Sequence, residues 1–187
     1  MRDSPTIVGI CGSLRDESTT RVALAHTLAA ATADGAQTEL LDLREYDLPL
    51  YDGDEKDAGD APQLREDIRQ ADGIVLATPI YHGSVSSTLK TALDYCGFEE
   101  FEDKPVGLLT VAGGRFPTPS LLHLRTICVW VRANPLPHQV GIPNVSGKIE
   151  DGELIDEKTR ERTEKLGRQV TEYARLFAGE RVTARSI

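Results

Sequence analysis

The polar residues best suited to chemistry fall in three short segments, each directly after an apolar run. The first is Gly12-Ser13-Leu14-Arg15-Asp16-Glu17-Ser18-Thr19-Thr20, with four hydroxyls and a guanidinium at the start of a helical stretch. Free backbone N–H groups and the dipole at a helix N-terminus favour an anion there. Capping alone needs one Ser or Thr, so this density points to a phosphate site. The glycines do not follow G-x-G-x-x-G, and no Gly-Lys-Ser/Thr follows, which disfavours a dinucleotide fold and a P-loop NTPase.

The second segment is Thr78-Pro79-Ile80-Tyr81-His82-Gly83-Ser84-Val85-Ser86-Ser87. Pro79 and Gly83 bracket an aromatic residue and a histidine, which suits either a platform for a flat ring or a plain turn. The third, Ala112-Gly113-Gly114-Arg115-Phe116-Pro117-Thr118-Pro119, has adjacent glycines that let backbone approach a ligand closely or simply turn the chain.

Other chemistries find less support. His26, His82, His123 and His138 have no metal-ligand spacing with one another or with Cys11, Cys96 and Cys128, so no metal is expected. The isolated cysteines form neither a disulfide framework nor an iron–sulfur set, and they read as inert, buried or helical thiols. No G-x-S-x-G elbow occurs.

The elements that must carry these segments alternate regularly. Apolar or alternating runs predict strands at Thr6–Cys11, Thr38–Leu43, Gly73–Ala77, Pro105–Ala112 and Asn134–Ile142. Pro135 and Pro137 suit an edge position for the last. Helical spacing predicts helices at Thr19–Asp34, Ala61–Ala71, Ser86–Tyr95, Leu121–Val131 and Asp156–Phe177, with Arg44–Asp60 as loop. Five strands alternating with five helices imply an α/β fold, a parallel sheet covered on both faces. Ligands then bind at the C-terminal ends of the strands, where all three segments lie.

The chain has 187 residues, 40% hydrophobic and 27% charged, enough for one core and one domain over 1–187, with 1–5 and 179–187 expected to fray. Thirty acidic against 21 basic residues give a net charge of −9, which argues against nucleic acid and anionic membrane as partners. Clusters such as Asp52–Asp57 and Phe98–Asp103 read as solvated acidic surface, either of the ordinary kind or adapted to high salt, where screening removes its self-repulsion. No apolar run reaches a membrane span, and Met1–Pro5 lacks the character of a signal peptide, so a cytoplasmic location is expected.

Taken together, Gly12-Ser13-Leu14-Arg15-x-x-Ser18, Pro79-x-Tyr81-x-Gly83-Ser84 and Leu89-Lys90-x-Ala92-Leu93-Asp94 resemble the NAD(P)H-dependent FMN reductase family. Leu124-Arg125 and Leu136-Pro137-x-Gln139-Val140-x-Ile142-Pro143-Asn144 support the resemblance, which runs from Thr6 to Asn144. It implies a flavodoxin-like three-layer sandwich with a five-stranded parallel sheet, and FMN with NADPH or NADH as co-substrate. It also implies a small-molecule electron acceptor such as a quinone, azo compound, metal oxyanion or free flavin. Ser13, Arg15, Ser18, Thr19 and Thr20 would hold the FMN phosphate. Pro79, Ile80, Tyr81, His82, Gly83 and Ser84 would line the flavin ring, and Gly113, Gly114 and Arg115 would border its pyrimidine side. No side chain is implied as a catalytic acid or base. A homodimer or homotetramer is implied, with a neighbouring subunit completing the pocket. The family often has Asn where this chain has Thr20 and where it has His82. A flavodoxin-type electron carrier is the rival reading, but its first loop usually reads Thr/Ser-x-Thr-Gly-x-Thr.

Overall fold

The computed structural model describes the backbone of residues 4–184 and the side chains of residues 4–178. Five strands, β1 (Thr6–Cys11), β2 (Gln37–Asp42), β3 (Gly73–Pro79), β4 (Pro105–Val111) and β5 (Asn134–Ile142), form one parallel sheet. Its order, β2-β1-β3-β4-β5, is that of a flavodoxin-like doubly wound fold. Helices α1 (Thr19–Ala33) and α6 (Glu157–Ala184) cover one face. Helices α2 (Ala61–Arg69), α3 (Ser87–Asp94), the single turn α4 (Phe98–Phe101) and α5 (Thr118–Trp130) cover the other.

Burial on both faces explains why the central strands are continuously apolar. Side chains alternate across the sheet: Val8, Ile10, Ile74 and Leu76 pack towards α2, α3 and α5, while Ile7, Cys11, Val75 and Ala77 pack towards α1 and α6. β5 is an edge strand, as its prolines require, and its pairing with β4 shifts register between Val106 and Leu108.

Several boundaries differ from the sequence expectation. Helix α5 begins three residues before Leu121, because Pro119 sits in the first turn, where its missing N–H costs nothing. A two-stranded hairpin, β6 (Ile149–Glu150) and β7 (Glu153–Leu154), precedes α6. Ser4 and Pro5 are tied down: Ser4 Oγ donates to the Gly35 carbonyl at 2.8 Å and the Pro5 carbonyl accepts from Gln37 N at 2.9 Å. The fraying expected over 1–5 therefore does not hold for these two. The backbone of α6 continues helically to Ala184; the rest of the fraying expectation, at 1–3 and 185–187, lies outside the described residues.

The acidic cluster at Phe98–Asp103 is not all solvated surface. Glu100 is buried, accepts from Gly97 N at 2.8 Å and pairs with Arg69 at 2.8 Å.

Candidate functional site

The loops after β1, β3 and β4 leave three adjacent strands, so the order of the sheet alone brings the three chemical segments together. The winding of the sheet reverses at β1, with β2 on one side and β3 on the other, the point at which doubly wound sheets open a crevice.

The first loop is anchored where it leaves β1, by both backbone groups of Gly12. Gly12 N donates to the Ala77 carbonyl at 2.8 Å, and the Gly12 carbonyl accepts from Ser86 Oγ at 2.7 Å. Ser86 also caps α3 by accepting from Leu89 N at 3.2 Å, while its own N–H donates to Thr78 Oγ1 at 2.9 Å. A Cβ on Gly12 would lie 2.7 Å from Leu89 Cβ, so glycine here permits the close joint between the first and second segments.

Within that loop Ser13 is buried, and its Oγ accepts from Arg15 N at 3.4 Å. Ser18 is the N-cap of α1, accepting from Arg21 N at 3.1 Å, with Thr19 and the buried Thr20 in the first turn. Ser18 is thus a genuine cap, but Leu14, Arg15, Asp16 and Glu17 project into solvent beyond it. Among the described residues the Arg15 guanidinium has no protein partner.

Below the loop stands a charged cluster that the sequence did not single out. Asp42, at the end of β2, is nearly buried and is met by Arg21 Nε at 2.8 Å and Arg44 Nη2 at 2.7 Å. Burial works to raise the Asp42 pKa, but hydrogen bonds from Arg44 and the charges of Arg21 and Arg44 outweigh it and hold the carboxyl below its ordinary value. Arg44 also reaches the exposed Asp16 at 3.2 Å.

The second segment is a tight turn. Tyr81 N donates to the Ser84 carbonyl at 3.2 Å and Ser84 N to the Tyr81 carbonyl at 3.0 Å. His82 (φ 51°) and Gly83 (φ 79°) both take the left-handed conformation, the pattern of a type I′ turn. Pro79 and Ile80 are partly buried, and Tyr81 and His82 are exposed. Ser84 Oγ lies 3.0 Å from Nδ1 of His123, a residue of α5 that no sequence pattern marked as part of this region.

The third segment borders open space. A Cβ on Gly113 or Gly114 would meet nothing within 4 Å, and neither residue has a positive φ, so neither the protein's packing nor its backbone demands glycine there. Phe116 is 78% exposed beside them. Arg115 is exposed and, among the described residues, has no ion-pair partner. Asn144 N donates to the Gly114 carbonyl at 2.9 Å, fixing the loop from behind.

The arrangement suits a molecule with an anionic end and a flat end. Arg15 and the start of α1 would take the anion, and the unfilled Gly113–Gly114 rim would face the flat group. Nucleophilic chemistry has no support: burial raises the Cys11 pKa and pushes Cys96 and Cys128 up to about 12, so all three remain protonated thiols. Among the described residues no group of three or more His, Cys, Asp or Glu could hold a metal, and no helix is long and apolar enough to cross a membrane.

The strand order and the helices on both faces define a doubly wound, flavodoxin-like protein. Residues 5–147 match the NADPH-dependent FMN reductase family. An NADPH azoreductase of Bacillus sp. strain OY1-2 is 39% identical over 151 residues, covering 79% of this chain and 81% of that protein. An NAD(P)H-dependent FMN reductase of Pseudomonas aeruginosa is 34% identical over 170 residues, covering 86% and 90%. Among solved structures, the flavoenzyme NAD(P)H:(acceptor) oxidoreductase FerB of Paracoccus denitrificans superposes with a TM-score of 0.77 at 20% identity, covering 92% of this chain and 98% of that one. The chain belongs to the NADPH-dependent FMN reductase family and is an oxidoreductase that uses FMN with NAD(P)H.

Proposed function

We propose that the crevice above β1, β3 and β4 is the FMN site of a reductase whose acceptor is a small molecule: a quinone, an azo compound, a metal oxyanion or free flavin. The observation that carries this reading is the pairing of a free Arg15 at a helix N-terminus with glycines at 113 and 114 that the protein's own packing leaves unfilled. When bound, FMN supplies hydride acceptance from the nicotinamide and electron transfer onward to the acceptor.

The chain's residues bind and orient. Ser13, Arg15, Ser18, Thr19 and Thr20 hold the 5′-phosphate by hydroxyls, backbone N–H groups and one charge-assisted contact. The 79–84 turn lines one side of the ring. Gly113 and Gly114 would leave room for its pyrimidine edge, and Arg115 would supply a positive charge on that side. The acceptor enters from the exposed side, past Tyr81 and Phe116.

A second copy of the chain completes the pocket, as a homodimer or within a homotetramer. Leu122, Val129 and Trp130, 58%, 65% and 82% exposed on α5, favour this, since the same helix brings His123 to the turn at 81–84. The free thiols and acidic surface suit the cytoplasm.

The test is a visible spectrum of the purified protein, followed by anaerobic NADPH. A flavin spectrum bleached promptly by NADPH is the expected result. A bound flavin that NADPH leaves oxidised would indicate an electron carrier, and a protein that does not take up FMN would overturn the reading.

A further inference from the structure

We propose that Arg21 is a positioning residue that shapes the first loop into a phosphate cradle, an inference that rests on the FMN reading above. Arg21 lies in the first turn of α1 and directs all three guanidinium nitrogens at protein acceptors. Nε meets buried Asp42 at 2.8 Å, Nη1 the Asp16 carbonyl at 3.0 Å and Nη2 the Arg15 carbonyl at 2.9 Å.

The consequence follows from the planar trans peptide, in which a C=O and the next N–H point in opposite directions. Drawing the carbonyls of Arg15 and Asp16 towards Arg21 turns the N–H groups of Asp16 and Glu17 to the opposite face of the loop. Among the described residues neither N–H donates to a protein acceptor. With the free N–H groups of the first turn of α1 they form a concavity of donors, the kind that receives an anion.

Charge supports the geometry. An unpaired Asp42 carboxylate beneath the loop would repel a phosphate. Arg21 and Arg44 neutralise it from two sides, and Arg44 also draws in Asp16, so among the described residues Arg15 is the cation of this loop left uncommitted. Arg21 therefore acts through the backbone and needs no contact with the ligand. Lysine could not replace it, because a point charge lacks the planar fork that reaches a carboxylate and two carbonyls together.

The test compares FMN with riboflavin, which lacks the phosphate. Apo wild-type protein, Arg21→Lys and Arg21→Gln are titrated with each flavin by fluorescence, with thermal melts alongside. Arg21→Lys keeps a cation beside Asp42, so its melting temperature should stay near wild type. Its FMN affinity should fall about tenfold or more while riboflavin affinity stays within about twofold, the loss expected for one or two hydrogen-bonded donors misdirected. Arg21→Gln should lose at least as much FMN affinity. Equal weakening of FMN and riboflavin, or unchanged FMN affinity in both variants, would overturn the role given to Arg21. Should wild type itself fail to prefer FMN over riboflavin, the phosphate-site reading would fall and this inference with it.

Discussion

The two ends of the crevice are built differently. The first loop is braced from every side by the chain itself: Gly12 is bonded to Ala77 and Ser86, and Arg21, Asp42 and Arg44 form a charged plinth beneath. The rim formed by the second and third segments has few internal supports. Gly113 and Gly114 face empty space, Phe116 stands in solvent, and the 81–84 turn rests on two backbone hydrogen bonds and His123. One end is organised in advance by the chain's own bonds. The other leaves space that the chain's own packing does not fill. Under the proposed function that division has a use, because preorganisation where the phosphate would sit lowers the cost of binding, while an open rim leaves room for the acceptor.

The largest predicted effect attacks the rigid end. Gly12→Val places a Cβ 2.7 Å from Leu89 Cβ and 2.8 Å from Ser86 Oγ. Overpacking of this kind costs about 1–3 kcal/mol, or about 2–12 °C in melting temperature for a chain of this size. The loop must also shift, and a misplacement near 1 Å is expected to cut NADPH-driven reduction by roughly 100-fold. Melting curves and stopped-flow reduction check both; an unchanged rate would mean the loop is not rigidly tied to the site.

Next comes Arg15→Ala, which removes the one uncommitted cation of the loop. A charge-assisted hydrogen bond contributes roughly 1.5–3 kcal/mol, so FMN affinity should fall ~10- to 100-fold. Riboflavin should bind wild type and variant about equally. If riboflavin binding suffers as much, Arg15 serves the ring or the fold and not the phosphate.

The charged plinth also predicts a pH response. Asp42 has a folded-state pKa below its ordinary value, so its contribution to stability is present above that ordinary value and is lost as pH falls through the lower, folded one. Acid titration of the melting temperature below about pH 4 should show a slope that Asp42→Asn flattens. An identical slope in the variant would place the acid sensitivity elsewhere.

Much of this division could be read in the sequence, and what could not has identifiable reasons. β1, β3 and β4 were legible because strands covered on both faces are made mostly of apolar residues. The first loop stood out as a candidate because its residues are contiguous. Arg21 did not, since a lone guanidinium on a helix looks like solvated surface, and its partner Asp42 is 21 residues away. His123 was missed for the same reason: 39 residues separate it from Ser84, and only the packing of α5 brings them together. Glu100 was misread because charge composition does not reveal that Arg69, from another helix, covers it.

At the open rim the effects should be smaller and should separate stability from binding. Gly114→Ala adds a methyl group that touches nothing in the protein and sits at an ordinary φ. Stability should be unchanged or slightly higher, by up to about 1 kcal/mol, since alanine narrows the unfolded ensemble. FMN affinity should nevertheless drop about tenfold if the ring edge occupies that space. A lower melting temperature would show that the protein itself needs this glycine; unaltered FMN binding would remove the rim from the site.

The smallest effect is expected at His82, the residue that looks most like a catalyst. Histidine is the residue type most often used for proton transfer near neutral pH, and this one stands exposed on the 81–84 turn. Its backbone, however, has φ 51° and is followed by Gly83 at φ 79°, and a type I′ turn draws on the few residues that tolerate the left-handed region, Asn foremost and His among them. The turn therefore accounts for His82 without any chemistry, and hydride transfer asks for alignment rather than a proton carrier. His82→Asn should keep the melting temperature at or above wild type and leave the NADPH-driven reduction rate of the FMN-loaded protein within about tenfold, whereas a general acid or base contributes 10²–10⁴-fold. His82→Val, with a β-branched side chain forced to positive φ, should instead cost about 1–2 kcal/mol of stability. A stopped-flow rate that collapsed beyond ~100-fold in His82→Asn, with FMN affinity intact, would make His82 a proton-transfer residue. The open rim would then hold catalytic machinery of its own, and the contrast between the two ends of the crevice would break.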